Sequence, residues 1–184
     1  FRMDPEVPLI VPQVNPNDMK NIPKNIIANP NCSTAQLVIV LKPLHDSYKI
    51  KRVVVSTYQS TSGAGKAPMD EMVEQTMAII NSKKVSSENF TKQIAFNAIP
   101  HIDAFAEDGY TKEELKMTRE TKKILDDKIE LTATCVRIPV KVSHAESVNI
   151  EFEKPFTVKK ISETLNNSPG CLLYTSPSPR DTEV

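Results

Sequence analysis

Asn25-Ile26-Ile27-Ala28-Asn29-Pro30-Asn31-Cys32-Ser33-Thr34-Ala35-Gln36 joins an apolar, strand-like stretch (Asn25 to Ala28) to a helix-like one (Ala35 to Leu41) through a turn that carries a cysteine. A strand feeding a helix this directly is what an α/β chain looks like from inside. Ser33 and Thr34 are placed to cap the helix, which leaves Cys32 beside unpaired N–H groups and the positive end of the helix dipole. Helix N-termini favour thiolate over thiol, and the thiolate is the nucleophile, so Cys32 is a candidate for covalent catalysis. The same residue reads equally well as a small buried hydrophobe at a turn.

Outward from that turn the alternation continues. Ser33 to Leu44 is apolar on several faces, which predicts a buried helix stopped near Pro43. Ile50-Lys51-Arg52-Val53-Val54-Val55-Ser56-Thr57 is a β-branched run and reads as a strand, followed by a polar loop from Tyr58 to Lys66. Met69, Met72, Val73, Thr76, Met77 and Ile80 form a helical stripe. Ile94 to Ile99 predicts a short strand or extended segment. Thr111 with Glu114 makes a capping box for a helix reaching about Asp126. Ile129 to Val140 and Ser147 to Phe152 alternate like strands of a mixed or antiparallel sheet, and Val158 to Leu165 predicts a last short helix. The expected class is α/β, with no complete βαβ nucleotide-binding unit visible.

Composition narrows the function. The chain has 184 residues, 39% of them apolar, enough for one good core and part of another. Lys+Arg and Asp+Glu both number 23, and no basic stripe interleaved with aromatics appears, which argues against nucleic acid as a partner. The apolar runs are too short to span a membrane, and no signal peptide opens the chain. Cys32, Cys135 and Cys171 are too few and too scattered for a disulfide framework or a metal site, so a reducing, cytoplasmic setting is expected. Both ends look unusual. Residue 1 is Phe, and Cys171 to Val184 has no helical or strand period around its Ser-Pro-Ser-Pro core. The expectation is a truncated reading frame with a non-native tail at 171–184; an ordinary disordered tail is the alternative.

Several polar residues are candidates for chemistry. His144 follows a strand in Ser143-His144-Ala145-Glu146 and is either the acid/base that a thiol nucleophile needs or a surface histidine in a turn. Arg137, inside the apolar Cys135-Val136-Arg137-Ile138-Pro139-Val140, must be ion-paired or bind an anion. Gln59 either hydrogen-bonds a substrate or closes a turn. Ser62-Gly63-Ala64-Gly65 resembles a backbone nest for an anion or cofactor, although any tight loop can use two glycines. Glu113 and Lys116 are i, i+3 on one helix, and spacing alone makes them a solvated pair.

In order and spacing these motifs resemble aspartate-semialdehyde dehydrogenase of the bacterial type. The matching blocks are Pro30-Asn31-Cys32-Ser33-Thr34; Tyr58-Gln59-Ser60-Thr61-Ser62-Gly63-Ala64-Gly65; Ile94-Ala95-Phe96-Asn97 with Pro100-His101-Ile102-Asp103; Glu113-Glu114-Leu115-Lys116-Met117 with Glu120-Thr121-Lys122-Lys123-Ile124; and Thr132 to Val140 with His144-Ala145-Glu146-Ser147. The resemblance covers about residues 1–170. It implies reduction of β-aspartyl phosphate to aspartate β-semialdehyde with NADPH, releasing phosphate, on the route to lysine, threonine and methionine. By that analogy Cys32 forms a thioester, His144 is the acid/base and Gln59 orients the substrate. Arg137 would grip the substrate carboxylate and Glu113 its amino group, while Asn31 and Lys116 would help bind phosphate. The turn Ser62, Gly63, Ala64 and Gly65 would face the nicotinamide end of NADP.

The resemblance also implies an organisation. Residues 1–32 correspond to the end of a Rossmann-like NADP-binding domain, 33–170 to an incomplete α+β catalytic and dimerisation domain with a mixed sheet, and 171–184 to the non-native tail. A homodimer or homotetramer is expected of the whole protein, and little NADPH binding or turnover of the piece alone. N-acetyl-γ-glutamyl-phosphate reductase, with the same Cys and His chemistry, is one alternative; a dimerisation module without catalysis is another.

Overall fold

The computed structural model describes residues 1–174. The regular elements are α1 (Cys32–Tyr48), β1 (Ile50–Gln59), α2 (Lys66–Ile80), α3 (Lys112–Ile124), β2 (Glu130–Arg137), β3 (His144–Phe152) and α4 (Val158–Asn166), with 3-10 turns at Pro16–Lys20 and Thr61–Ala64. The three strands pair in the order β2-β1-β3. Past the ends of β2 and β1, the Ile138 N–H donates to the Gln59 carbonyl at 3.0 Å, so those two strands run parallel. Glu153 N–H donates to the Lys49 carbonyl at 2.8 Å, so β3 returns antiparallel to β1. The architecture is a mixed α/β fold, as the alternation in the sequence predicts. No helix among the described residues is long and apolar enough to cross a membrane.

The chain divides into two compact units: Phe1–Arg52 with Glu120–Glu130 and the chain from Ile150 on, and Val53–Arg119 with Leu131–Asn149. In the first, Val7, Leu9, Val11, Val14, Ala28, Val38 and Ile124 form the core. The strand-like Asn25 to Ala28 contributes one parallel bridge, Ala28 to Leu9. Lys123 ties the N-terminal segment down: its ammonium donates to the carbonyls of Arg2 (2.7 Å), Asp4 (2.7 Å) and Val7 (2.8 Å). Burial pushes that ammonium's pKa below its ordinary value. Tyr48, Phe152 and Phe156 pack edge to face with centroids 5.0 to 6.4 Å apart.

Two local expectations are corrected here. α1 does not stop near Pro43 but runs through it to Tyr48. An interior proline costs about 3 kcal/mol, chiefly by removing one N–H and crowding the carbonyl four residues back. Here Leu44, His45 and Tyr48 are buried beyond it, which offsets the loss, and the Ile39 carbonyl that Pro43 cannot serve accepts the Cys171 thiol at 3.7 Å. Nor do Ser33 and Thr34 cap α1. Asn31 is the cap, its Oδ1 accepting the Ser33 N–H at 2.9 Å, while both hydroxyls are buried without hydrogen-bond partners.

In the second unit, Met72, Ile94 and Ile99 form a small core against which Phe90 packs. α2 forms where expected, but of its apolar stripe only Met72 is buried. Val73, Met77 and Ile80 are exposed, whereas Glu71 and Gln75 point inward. The reason lies in the loop they hold: Glu71 accepts from the Asn89 N–H and Nδ2, each at 2.6 Å, and Gln75 Oε1 accepts from the Ile94 N–H at 2.8 Å. Buried polar side chains that satisfy a loop backbone outcompete apolar ones at such positions. Ile94 to Ile99 forms no strand; only Ile99 bridges to Arg137. The capping box is present, with Thr111 N–H donating to Glu114 Oε2 at 2.7 Å. The expected tail at 171–184 lies outside the described residues from position 175 on.

Candidate active site

In the first unit, Cys32 is the first residue of α1 and is exposed. Asn31, just before it, is buried at 8% exposure and holds the extended backbone that lets an N-cap face its helix (φ −56, ψ 149). Its Oδ1 accepts the Ser33 N–H and the Cys32 thiol, the latter at 3.8 Å. One amide oxygen therefore fixes the first turn and steers the sulfur.

The second unit gathers Gln59, Glu113, Lys116, Arg137, His144 and the Ser62–Gly65 turn. β1 ends at Gln59, β2 at Arg137, and β3 begins at His144, so the sheet brings three of them to one end. Ser60 is the hub. Its carbonyl accepts Arg137 Nη1 at 2.5 Å, and its N–H donates to His144 Nδ1 at 3.0 Å. With Nδ1 accepting, a neutral imidazole carries its proton on Nε2. Desolvation, reinforced by the Arg137 charge, pushes the His144 pKa below the ordinary imidazole value, so the ring is neutral at pH 7.

Gly63 explains half of the glycine-rich turn. A Cβ there would lie 3.2 Å from His144 Cε1 and Nε2 and 3.3 Å from Arg137 Nη1, so the backbone is a wall against which both side chains rest. Thr61 N–H to Val140 and Ser62 N–H to Lys141 pin the turn to the segment after β2. Gly65 has φ +104, and an added Cβ there would meet nothing within 4 Å. The Gly65 side of the turn is therefore open, and the Gly63 side is occupied by His144 and Arg137.

Glu113 is buried and accepts from Gln59 Nε2 at 3.3 Å and Lys116 Nζ at 3.4 Å, so the pair is no solvated surface bridge. Lys116 also donates to Asp103 at 2.8 Å. Burial opposes the Lys116 charge, but Asp103 and Glu113 outweigh it and raise its pKa, while Lys116 lowers that of Asp103. Glu114 joins α3 to β2: besides its capping role, Oε1 accepts the Cys135 N–H at 3.1 Å. Cys135 is itself inert, its thiol pushed up to about 12 by burial. No group of His, Cys, Asp or Glu among the described residues is arranged to hold a metal ion.

Ser60, Asp103 and Glu114 were not picked out as site residues from the sequence. Ser60 acts through its main chain, which leaves no mark on residue type, and Glu114 is legible as a capping residue but not for its bond to the Cys135 N–H. Asp103 lies 13 positions from Lys116, outside any helical spacing.

Comparison with known proteins agrees with the fold. A family model described as semialdehyde dehydrogenase, dimerisation domain, matches residues 41–183. Aspartate-semialdehyde dehydrogenase of Aquifex aeolicus is 53% identical over 180 residues, covering 96% of this chain and 53% of that protein. The crystal structure of aspartate semialdehyde dehydrogenase II from Vibrio cholerae complexed with ASA superposes with a TM-score of 0.93 at 46% identity, over 95% of this chain and 52% of that one. The Candida albicans enzyme with NADP superposes at 0.65 and 26% identity, over 90% and 46%. The chain thus spans about half the length of the relatives it matches.

Proposed function

The chain belongs to the semialdehyde dehydrogenase dimerisation-domain family, and from that premise we propose that it is the catalytic and dimerisation part of an NADP-dependent aspartate-semialdehyde dehydrogenase. The observation that carries the reading is an exposed cysteine standing first in a capped helix, in a chain 53% identical to an enzyme of that name. Domain limits at 1–32 and 33–170, and assembly with a second copy of the chain, belong to the same reading.

The chemistry follows from the groups described. Cys32 Sγ attacks the acyl carbon of β-aspartyl phosphate; a C–S bond forms, the C–O bond to phosphate breaks, and phosphate leaves with the electron pair. His144, neutral at pH 7 with its proton on Nε2, is the acid/base. Arg137, held at Ser60, grips the substrate carboxylate, and a guanidinium does this with two parallel N–H bonds. Glu113 receives the substrate ammonium and Gln59 sets its orientation. Lys116 and Asn31 stabilise the phosphate. Bound NADPH supplies the two electrons and the hydrogen that convert the thioester to aldehyde. Ser62, Gly63, Ala64 and Gly65 present the backbone surface on which its ring would lie.

In the protein that carries this chain, Cys32→Ala should lower phosphate-dependent NADPH formation from aspartate semialdehyde by at least about a thousandfold, as loss of a nucleophile does. Mass spectrometry of the quenched wild-type reaction should find the aspartyl group on Cys32. Undiminished turnover in the variant defeats the reading, as does turnover of N-acetylglutamate semialdehyde in place of aspartate semialdehyde.

A further inference from the structure

Glu120 lies on α3 with 1% of its surface exposed. Carboxylates are almost never so buried without partners of matching chemistry. Its Oε1 accepts from Arg2 Nη1 at 3.3 Å, and its Oε2 accepts the backbone N–H of Asn31 at 2.7 Å. The second bond is the shorter, and it reaches the residue that caps α1 and holds the Cys32 sulfur. The hydroxyls of Ser33 and Thr34, the next two residues of α1, are buried without hydrogen-bond partners and so do not cap the helix. Fixing the Asn31 N–H fixes the peptide plane from which the cap's φ and ψ, and the place of the sulfur, are built.

We propose that Glu120 is a positioning residue for Cys32, clamping the Asn31 peptide so that the cap and the thiol are held in one geometry before substrate arrives. The proposal rests on Cys32 being the nucleophile. Its alternative is that Glu120 matters only as a buried counter-charge to Arg2.

Two substitutions separate these roles because they fail in opposite ways. Glu120→Gln keeps the side-chain length and an acceptor oxygen for the Asn31 N–H but removes the charge. Glu120→Asp keeps the charge but is one methylene shorter, too short to serve both partners. Misplacing a reacting atom by about 1 Å can cost up to about a hundredfold in rate. Positioning therefore predicts kcat within about threefold of wild type for Glu120→Gln and down by about tenfold or more for Glu120→Asp, with KM within about twofold for both. Measured alongside, Phe152→Leu loosens the aromatic cluster that Tyr48 forms at the other end of α1, away from Arg2, Glu120 and the cap; it should lower the melting temperature and leave kcat alone. Equal kcat in the two Glu120 variants, or Gln the slower, overturns the proposal. So does a Phe152→Leu variant whose kcat falls as far as that of Glu120→Asp. If Cys32→Ala retains turnover, the nucleophile reading falls and this one with it. If Cys32→Ala is dead while Glu120→Asp has wild-type kcat, only the role of Glu120 is lost.

Discussion

At the start of α1 the proposed nucleophile, Cys32, is exposed while Asn31 and Glu120 behind it are buried; around Ser60, Gln59, Glu113 and Arg137 are buried, Lys116 and His144 half-buried and Asp103 exposed, and these groups hold one another. Cys32 sits beside its cap, Asn31, which Glu120 holds through the main-chain N–H. Gln59, Glu113, Lys116 and Asp103 form a chain of contacts, and Arg137 and His144 share the backbone of one serine. A nucleophile has to be approached, so it is held from behind. Groups that recognise charges gain strength from being out of water, and Glu113 and Arg137 are enclosed. The first arrangement should fail all at once and the second by degrees.

The largest test of that contrast compares two thiols in the same protein. Burial has pushed the Cys135 thiol up to about 12, whereas Cys32 is exposed. Iodoacetamide at pH 7.5, followed peptide by peptide, should label Cys32 while Cys135 stays essentially unlabelled. Similar rates would break the comparison. Next comes Arg137→Ala, which removes a charge-assisted grip worth about 2–3 kcal/mol; KM for aspartate semialdehyde should rise by about a hundredfold, and an unchanged KM would place the carboxylate elsewhere. Gly63→Ala sharpens the picture further. Its methyl would press on His144 and Arg137 at 3.2 to 3.3 Å, so kcat should fall by about tenfold while the melting temperature moves by only a few degrees.

The smallest effect is a pH dependence. Burial lowers the His144 pKa in the folded protein, so the unfolded chain binds the proton more readily. Stability from this residue is complete above the ordinary imidazole pKa and is lost as pH falls through the window between that value and the lowered one. Urea unfolding at pH 8 and at pH 5.5 should show a smaller pH difference in His144→Asn than in wild type. The same difference in both would mean the ring is not the titrating group.

Much of this was legible in the sequence, and the exceptions have a common cause. The β1 run, the capping box at Thr111 and Glu114, and the presence of a helix just after the Asn31-Cys32 turn are read from neighbours along the chain, where spacing is geometry. What spacing cannot show is a side chain answering to distant backbone. Glu71 and Gln75 turn inward to meet a loop, Glu120 is buried against Asn31, and Pro43 is tolerated because of what is buried beyond it. Gly63 was recognised as a tight spot, but its neighbours His144 and Arg137 lie at the ends of other strands. The family resemblance supplied the grouping of Gln59, Glu113, Arg137 and His144 that propensity alone left open.

Lys123 offers a last consequence. A single nitrogen donating to three carbonyls is a tripod, each hydrogen aimed at a different point of the chain between Arg2 and Val7. Arginine has more hydrogens but lays them out in a plane, and no planar fork can stand on three feet converging on one atom. The position is thus selective among cations of equal charge. Acetylating its nitrogen would leave one hydrogen for three oxygens, and the segment would come untied as though a knot of three strands had lost two.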